Sequence, residues 1–292
     1  MIEFKKLEIA DFDIISGFFD KNTSKICDNT LGTVFMWRYY FDTSYSIVDE
    51  TLVLKFSYNG EEVFMMPVGK NIKNALEEIS SYCEKNKIEM KFNFVAEQDV
   101  EIIKKHFKTS VIEEPDWADY IYSASDLALM TGRKYNGSRN HINAFKRQND
   151  DYRIEQLTTK NAKDVLDFFE KELNDKNEKN DMLKAERLMV REVLSCLDLY
   201  KMSGIVLYSD EKIIGFSAGE VVDDVLYVHI EKADINYRGA YQMLVAEYAK
   251  EKLSLVTEIN REEDLGDEGL RKSKLSYNPS YLIKKYTVVC EN

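Results

Sequence analysis

Residues 225–253 read VLYVHIEKADINYRGAYQMLVAEYAKEKL. The opening run, VLYVHIEKA, follows a turn-forming Asp223-Asp224 pair and is rich in β-branched and aromatic residues, which predicts a strand. From residue 242 to 253 the apolar positions recur at helical spacing. Between strand and helix lies Tyr237-Arg238-Gly239-Ala240-Tyr241. A glycine-bearing turn at such a junction presents backbone N–H groups at a helix N-terminus, which suits a phosphate. A plain helix start accounts for the same residues, because one glycine turn is a weak signal.

Working outward, GIVLYS (204–209), a turn at Asp210-Glu211-Lys212 and IIGFSAGEVV (213–222) predict an antiparallel hairpin. Upstream of it, 159–172 and 182–197 carry helical periodicity. Downstream, 255–260 predicts a strand, 267–277 a helix ended by Pro279, and 281–289 a last strand. The first half has the same order. Residues 11–20 read as a helix, and 45–68 as one hairpin about the Asn59-Gly60 turn. A helix over 72–87, a strand over 91–95, a helix over 100–107 and a strand over 117–122 follow. Helix, hairpin, helix, strand, helix, strand, twice over, predicts an α+β fold of two like domains. The seam falls within 125–150, which gives domains of residues 1–130 and 131–292.

The bulk composition agrees. A chain of 292 residues is long for one core and comfortable for two. The formal net charge of −12 argues against tight non-specific DNA binding, which needs many phosphates neutralised. The four cysteines, Cys27, Cys83, Cys196 and Cys290, form no CxxC pair and fit buried thiols in a reducing compartment. The opening MIEFKKLEIADFD lacks the apolar core of a signal peptide, and no apolar run reaches membrane-spanning length. The expected location is cytoplasmic.

Against that acidic background two stretches hold cations and no acids. One is TGRKYNGSRNHINAFKRQ (131–148), with Arg133, Lys134, Arg139, Lys146 and Arg147; the other is LRKSKLSYNPSYLIKK (270–285). Local basic patches on an acidic body suit a local anion: a phosphate, a carboxylate or a developing oxyanion. On a helix starting near Ser138, Arg139, Asn143 and Lys146 share one face, while Ile142 and Phe145 share another that can pack. A solvated basic face explains the same pattern.

The segment EINREEDLGDEGLRKSKLSY (258–277) sets acids beside this second stretch. Asp267 or Glu268 can cap a helix on which Arg271 and Lys274 lie one turn apart. Internal ion pairing is one reading. Chemistry is the other: a lysine there can stabilise an oxyanion, and an acid such as Glu262 can accept an amine proton. His229 and Glu231 alternate on the strand 225–233, on one face. They are candidates for proton transfer, or a core histidine with a satisfied partner. The histidines His106, His141 and His229 are too scattered for metal-ligand spacing, so no metal is expected.

The runs 119–148 and 259–279, with G-R-K-Y, R-N-H-I, N-R-E-x-D-L-G and G-L-R-K-S-K-L-S-Y, resemble a bacterial family related to the C-terminal catalytic domain of phosphatidylglycerol lysyltransferases. The strand–turn–helix at 225–253 is similar to that of acyl-CoA N-acyltransferases (GNAT), with Arg238 and Gly239 in the place of the pyrophosphate loop and Tyr241 where that family has a second small residue. The resemblance implies an α+β chain of two GNAT-like domains in tandem, mixed sheets flanked by helices, as in Fem-type peptidyltransferases. It implies a transferase that moves an aminoacyl group from aminoacyl-tRNA to an amine or hydroxyl. Lys274 then lies near the tRNA 3′ end with Arg271 assisting, and Glu231, His229 and Glu262 are candidate bases. Arg139, Asn143, Lys146, Arg238 and Gly239 are the candidate donor-binding residues. The alternatives are a CoA-dependent N-acetyltransferase, with acyl-CoA as donor, and a binding protein without chemistry. The lysyltransferases proper carry a membrane domain that has no counterpart here, and peripheral membrane contact stays open.

Overall fold

The computed structural model describes residues 2–174 and 181–291. The chain folds into two compact units. The first comprises residues 1–119, 263–266 and 283–292; the second comprises 120–262 and 267–282. The units are interleaved in sequence, and the seam expected at 130/131 falls inside the second.

In the first unit β1 (Lys5–Lys6), β2 (Ser44–Val48), β3 (Thr51–Tyr58), β4 (Glu61–Phe64), β6 (Met90–Ala96), β15 (Lys285–Cys290) and β7 (Thr109–Glu113) line up in that order. The short β5 (Val68–Gly69) pairs with β3. Pairing is antiparallel except for β4 with β6, which run parallel and meet at Phe64 opposite Phe92. Helices α1 (Phe12–Ile15), α2 (Leu31–Met36), α3 (Ile72–Asn86) and α4 (Glu97–Lys104) accompany the sheet. Helix α3 buries Ala75, Leu76, Ile79 and Cys83, one stripe at helical spacing, in a core with Val53, Phe64 and Phe92. The hairpin predicted over 45–68 is two hairpins. Asp49 and Glu50 both take positive φ, +48° and +59°, and turn β2 into β3 with no glycine or asparagine to announce it.

In the second unit β14 (Tyr281–Ile283), β8 (Asp119–Ser123), β13 (Glu258–Asn260), β12 (Val225–Ala233), β11 (Lys212–Val222), β10 (Ser203–Ser209) and β9 (Arg153–Gln156) form the sheet in that order. Strands β12 and β13 are parallel, and β11 pairs antiparallel with β10 and β12. The helices are α5 (Ala124–Leu129), α6 (Asn136–Gln148), α7 (Ala162–Asn174), α8 (Asp181–Ser195), α9 (Leu197–Tyr200), α10 (Ala240–Lys252) and α11 (Glu268–Ser276). Helix α10 buries Met243, Leu244, Val245, Ala246, Tyr248 and Ala249, so it is covered on most sides, as a helix enclosed by α5, α6 and the sheet must be. Helix α11 starts where Asp267 accepts a 2.7 Å hydrogen bond from the N–H of Leu270. The strand predicted over 281–289 is in fact two strands in two sheets, β14 in the second and β15 in the first. The architecture is α+β, two mixed sheets flanked by helices. Among the described residues no helix is long and apolar enough to cross a membrane.

Candidate active site

Strands β12 and β13 stay in register from Val225–Glu258 to Tyr227–Asn260. Beyond that point the charged residues sit on the two parting chains: His229 and Glu231 on β12, Arg261 and Glu262 after β13. A bulge re-aims the first of these. Ile230 faces Ala218 and Val228 faces Gly219, so His229 is left over in the ladder. Glu262 takes φ +57° and its N–H is held by Asn260 Oδ1 at 2.7 Å, which turns the chain out of the strand.

The two chains are tied by ion pairs. His229 Nδ1 lies 2.7 Å from Glu262 Oε1 and Nε2 lies 2.9 Å from Glu220 Oε1 on β11, with the imidazole side chain fully buried. Burial alone disfavours a charged ring. The hydrogen bonds to Glu220 and Glu262, followed by their charges, overcome it and raise the pKa to about 10. His229 is therefore an imidazolium at neutral pH, clamped between two carboxylates, and it has no lone pair with which to act as a base.

Next to it, Arg261 Nη2 donates to Glu231 Oε1 at 2.6 Å. The guanidinium lies over the Tyr277 ring at 4.5 Å and near that of Tyr122 at 5.7 Å. Burial opposes the charge, but Glu231 and these rings keep the guanidinium charged and push its pKa up. Its Nη1 is buried and makes no hydrogen bond among the described residues. A buried cationic N–H without an acceptor is costly. Lys274, buried on α11, sends Nζ to the main-chain carbonyl of Arg261 and lies 5.7 Å over the Tyr120 ring. The Tyr122 hydroxyl donates to the Lys274 carbonyl at 2.8 Å and so fixes the helix turn that carries the lysine.

The sequence candidates thus divide. Glu231, His229, Glu262 and Lys274 gather about Arg261, and Arg271 lies one helical turn before Lys274. Arg139 donates instead to the main-chain carbonyls of Met130 and Gly132 and to Asn136 Oδ1, closing the C-terminal end of α5. Lys146 lies 5.8 Å over Tyr152, and Asn143 and Arg238 are exposed. Gly239 takes φ +94° at the N-cap of α10, where a Cβ would lie 2.4 Å from the His141 carbonyl oxygen. Close packing of α10 on α6 therefore explains this glycine without a phosphate. The two acid-free stretches touch where Asn278 Nδ2 donates to the Lys134 carbonyl at 3.4 Å. Sequence reasoning misses Arg261, Glu220, Tyr122 and Tyr277 as site residues. Arg261 stands in the N-R-E-x-D-L-G run, but the acids beside it point to local ion pairing instead.

A second buried charge cluster lies within the first unit. Lys285 Nζ is 2.5 Å from Asp28 Oδ2, 2.7 Å from Asp119 Oδ1, 3.3 Å from Cys27 Sγ and 3.5 Å from Glu263 Oε2. Cys27, Asp119 and Glu263 offer three potential metal-ligand atoms within 4.8 Å of one another. The cation they surround is this ammonium. Burial pushes the Cys27 thiol well up, so it is neither a nucleophile nor a thiolate ligand near pH 7.

Comparison with known proteins assigns the fold. A conserved protein of unknown function from Bacteroides thetaiotaomicron is 33% identical and superposes with a TM-score of 0.91, each chain covered over 100% of its length. The C-terminal domain of a lysylphosphatidylglycerol synthetase candidate from Agrobacterium fabrum is 11% identical, TM-score 0.71, over 98% of this chain and 93% of that one. FemX is 10% identical, TM-score 0.60, over 99% and 98%. The fold shared with these is two GNAT-like units in tandem. An uncharacterized protein of Mycoplasmoides gallisepticum is 25% identical over 191 residues, 65% of this chain and 61% of that protein, so the match spans less than two thirds of that curated relative. The family model for phosphatidylglycerol lysyltransferase, C-terminal, matches residues 21–289, and the chain belongs to that family.

Proposed function

We propose that this protein is an aminoacyltransferase, taking an aminoacyl ester from aminoacyl-tRNA and passing it to an amine or hydroxyl. The family and the fold support an acyl- or aminoacyl-transferase, and the observation that carries the site is the buried Arg261 Nη1 without an acceptor. The acceptor nitrogen or oxygen attacks the ester carbonyl carbon, and the carbonyl electron pair moves onto oxygen. Arg261 Nη1 donates to that oxyanion and the Lys274 ammonium adds positive charge. Glu262 takes the acceptor's proton; its side chain is 23% exposed, against 10% for Glu220 and 14% for Glu231. Collapse breaks the ester C–O bond, and the proton passes to the departing ribose oxygen. His229 and Glu231 are positioning residues: the imidazolium holds Glu262, and Glu231 holds Arg261.

The test is transfer of label from radiolabelled aminoacyl-tRNA to an acceptor pool. Arg261→Lys should lower kcat by about 100-fold or more, as expected for loss of one oxyanion donor, with the melting temperature retained. Lys274→Ala should abolish transfer in a folded protein. Unchanged turnover in both would sink the assignment. Transfer from acetyl-CoA with none from aminoacyl-tRNA would give the site to the CoA-dependent reading instead.

A further inference from the structure

The first unit holds a pocket that this reaction does not use. Its void is about 40 Å³, several times the ~10–15 Å³ needed for one water. The wall is formed by the rings of Trp37, Phe41, Phe56 and Phe94, and its charged member is Asp28. Phe56 and Phe94 stack at 5.7 Å and 14°, and Phe41 stands edge-on to both, at 5.6 and 6.2 Å. Phe94 is held at φ +57° inside β6, a backbone region that is strained for a bulky side chain and that persists at ligand clamps. The fold accepts strain at the residue whose ring completes the wall.

Ring faces carry negative potential and attract cations, and a carboxylate among them adds an acceptor for N–H donors. Asp28 shares its one described ion-pair partner, Lys285, with Asp119 and Glu263. Glu263 and Asp119 add negative charge at the same lysine that the single Lys285 ammonium does not balance, so further positive charge beside Asp28 is favourable. We infer that this pocket binds the head of a small primary alkylammonium compound, with the N–H groups on Asp28 and the adjoining methylenes against the four rings. A quaternary head has no hydrogen to give the carboxylate. A neutral alcohol of the same length lacks the charge that the rings and Asp28 select. The site is independent of the transfer reaction and of the second unit's residues.

The experiment is isothermal titration of the full chain with n-butylammonium chloride, with sodium chloride as the ionic-strength blank and n-butanol as the neutral control. Saturable binding of the ammonium and none of the alcohol is expected. Asp28→Asn should weaken it at least about tenfold. Because Asp28 also partners a buried lysine, Phe41→Leu, checked for folding by circular dichroism, provides a second reading and should weaken binding by about three- to tenfold. The inference is overturned by absence of saturable ammonium binding, by equal binding of n-butanol, or by unchanged affinity in folded Phe41→Leu.

Discussion

Removing the charge from His229 should remove a pH-dependent part of the protein's stability. The ring is raised from 6.5 to about 10 by Glu220 and Glu262 against the cost of burial. At about 1.36 kcal/mol for each unit separating the two values, that is on the order of 5 kcal/mol of stability. The sign follows from the direction. A raised pKa gives a contribution that is complete below about 6.5, declines as pH rises, and is gone once pH passes about 10. Urea unfolding followed by far-UV circular dichroism between those limits should show the wild type losing stability by up to about 1.4 kcal/mol per pH unit. His229→Gln keeps size and hydrogen-bonding capacity without charge. It leaves two carboxylates on an uncharged partner, which should cost about 3–5 kcal/mol at neutral pH and flatten the profile. Nitrogen-15 shifts of the ring in the wild type at pH 8 should report both nitrogens protonated. A neutral tautomer at that pH, or the same pH slope in His229→Gln, would refute the reasoning.

Gly239→Ala should cost about 2–4 kcal/mol, since the residue sits at φ +94° and its new methyl would strike the His141 carbonyl at 2.4 Å; thermal melting reads this, and a neutral effect would remove the packing role. Lys285→Met leaves Asp28 and Asp119 buried around an apolar tip and should cost about 3–5 kcal/mol, read by the urea midpoint; wild-type stability in that variant would show that the cluster does not depend on the ammonium. Glu231→Gln should weaken the anchoring of Arg261 and lower kcat with little change in KM, whereas a raised KM with kcat unchanged would place Glu231 in substrate binding.

Much of the fold is legible in the sequence because the local signals agree. Strand β12 runs over the residues predicted for it, since Asp223-Asp224 starts it and the charged Lys232-Ala233-Asp234 end closes it. Two α+β units are present, as the repeat of elements predicts, but the strand that ends the first repeat, β8, lies in the second unit's sheet and β15 lies in the first. What is lost depends on partners distant in sequence. Nothing within 281–289 says that Lys284 separates a strand of one sheet from a strand of another, because both pieces have the same β-forming composition. Asp49-Glu50 turns a hairpin by adopting left-handed backbone with residues that do not advertise it. At the site, alternation brings His229 and Glu231 forward as candidates, but the bulge and the carboxylates 9 and 33 residues away decide the ring's setting and charge. Lys285 reads as one cation of a basic stretch; Cys27, 258 residues away, is among the groups that bury it. Arg139 reads as an anion ligand, and carbonyl oxygens of the preceding turn engage it, acceptors that side-chain pattern alone does not reveal.

The most direct measurement is transfer itself. The protein is incubated with tRNA charged with labelled amino acids and with a mixture of amine and hydroxyl acceptors, and the label is followed into stable product. The proposed function requires product that forms with the wild type and fails with Lys274→Ala and Arg261→Lys under conditions where all three are folded. Label that stays on tRNA with the wild type across the whole amino-acid and acceptor set would contradict it.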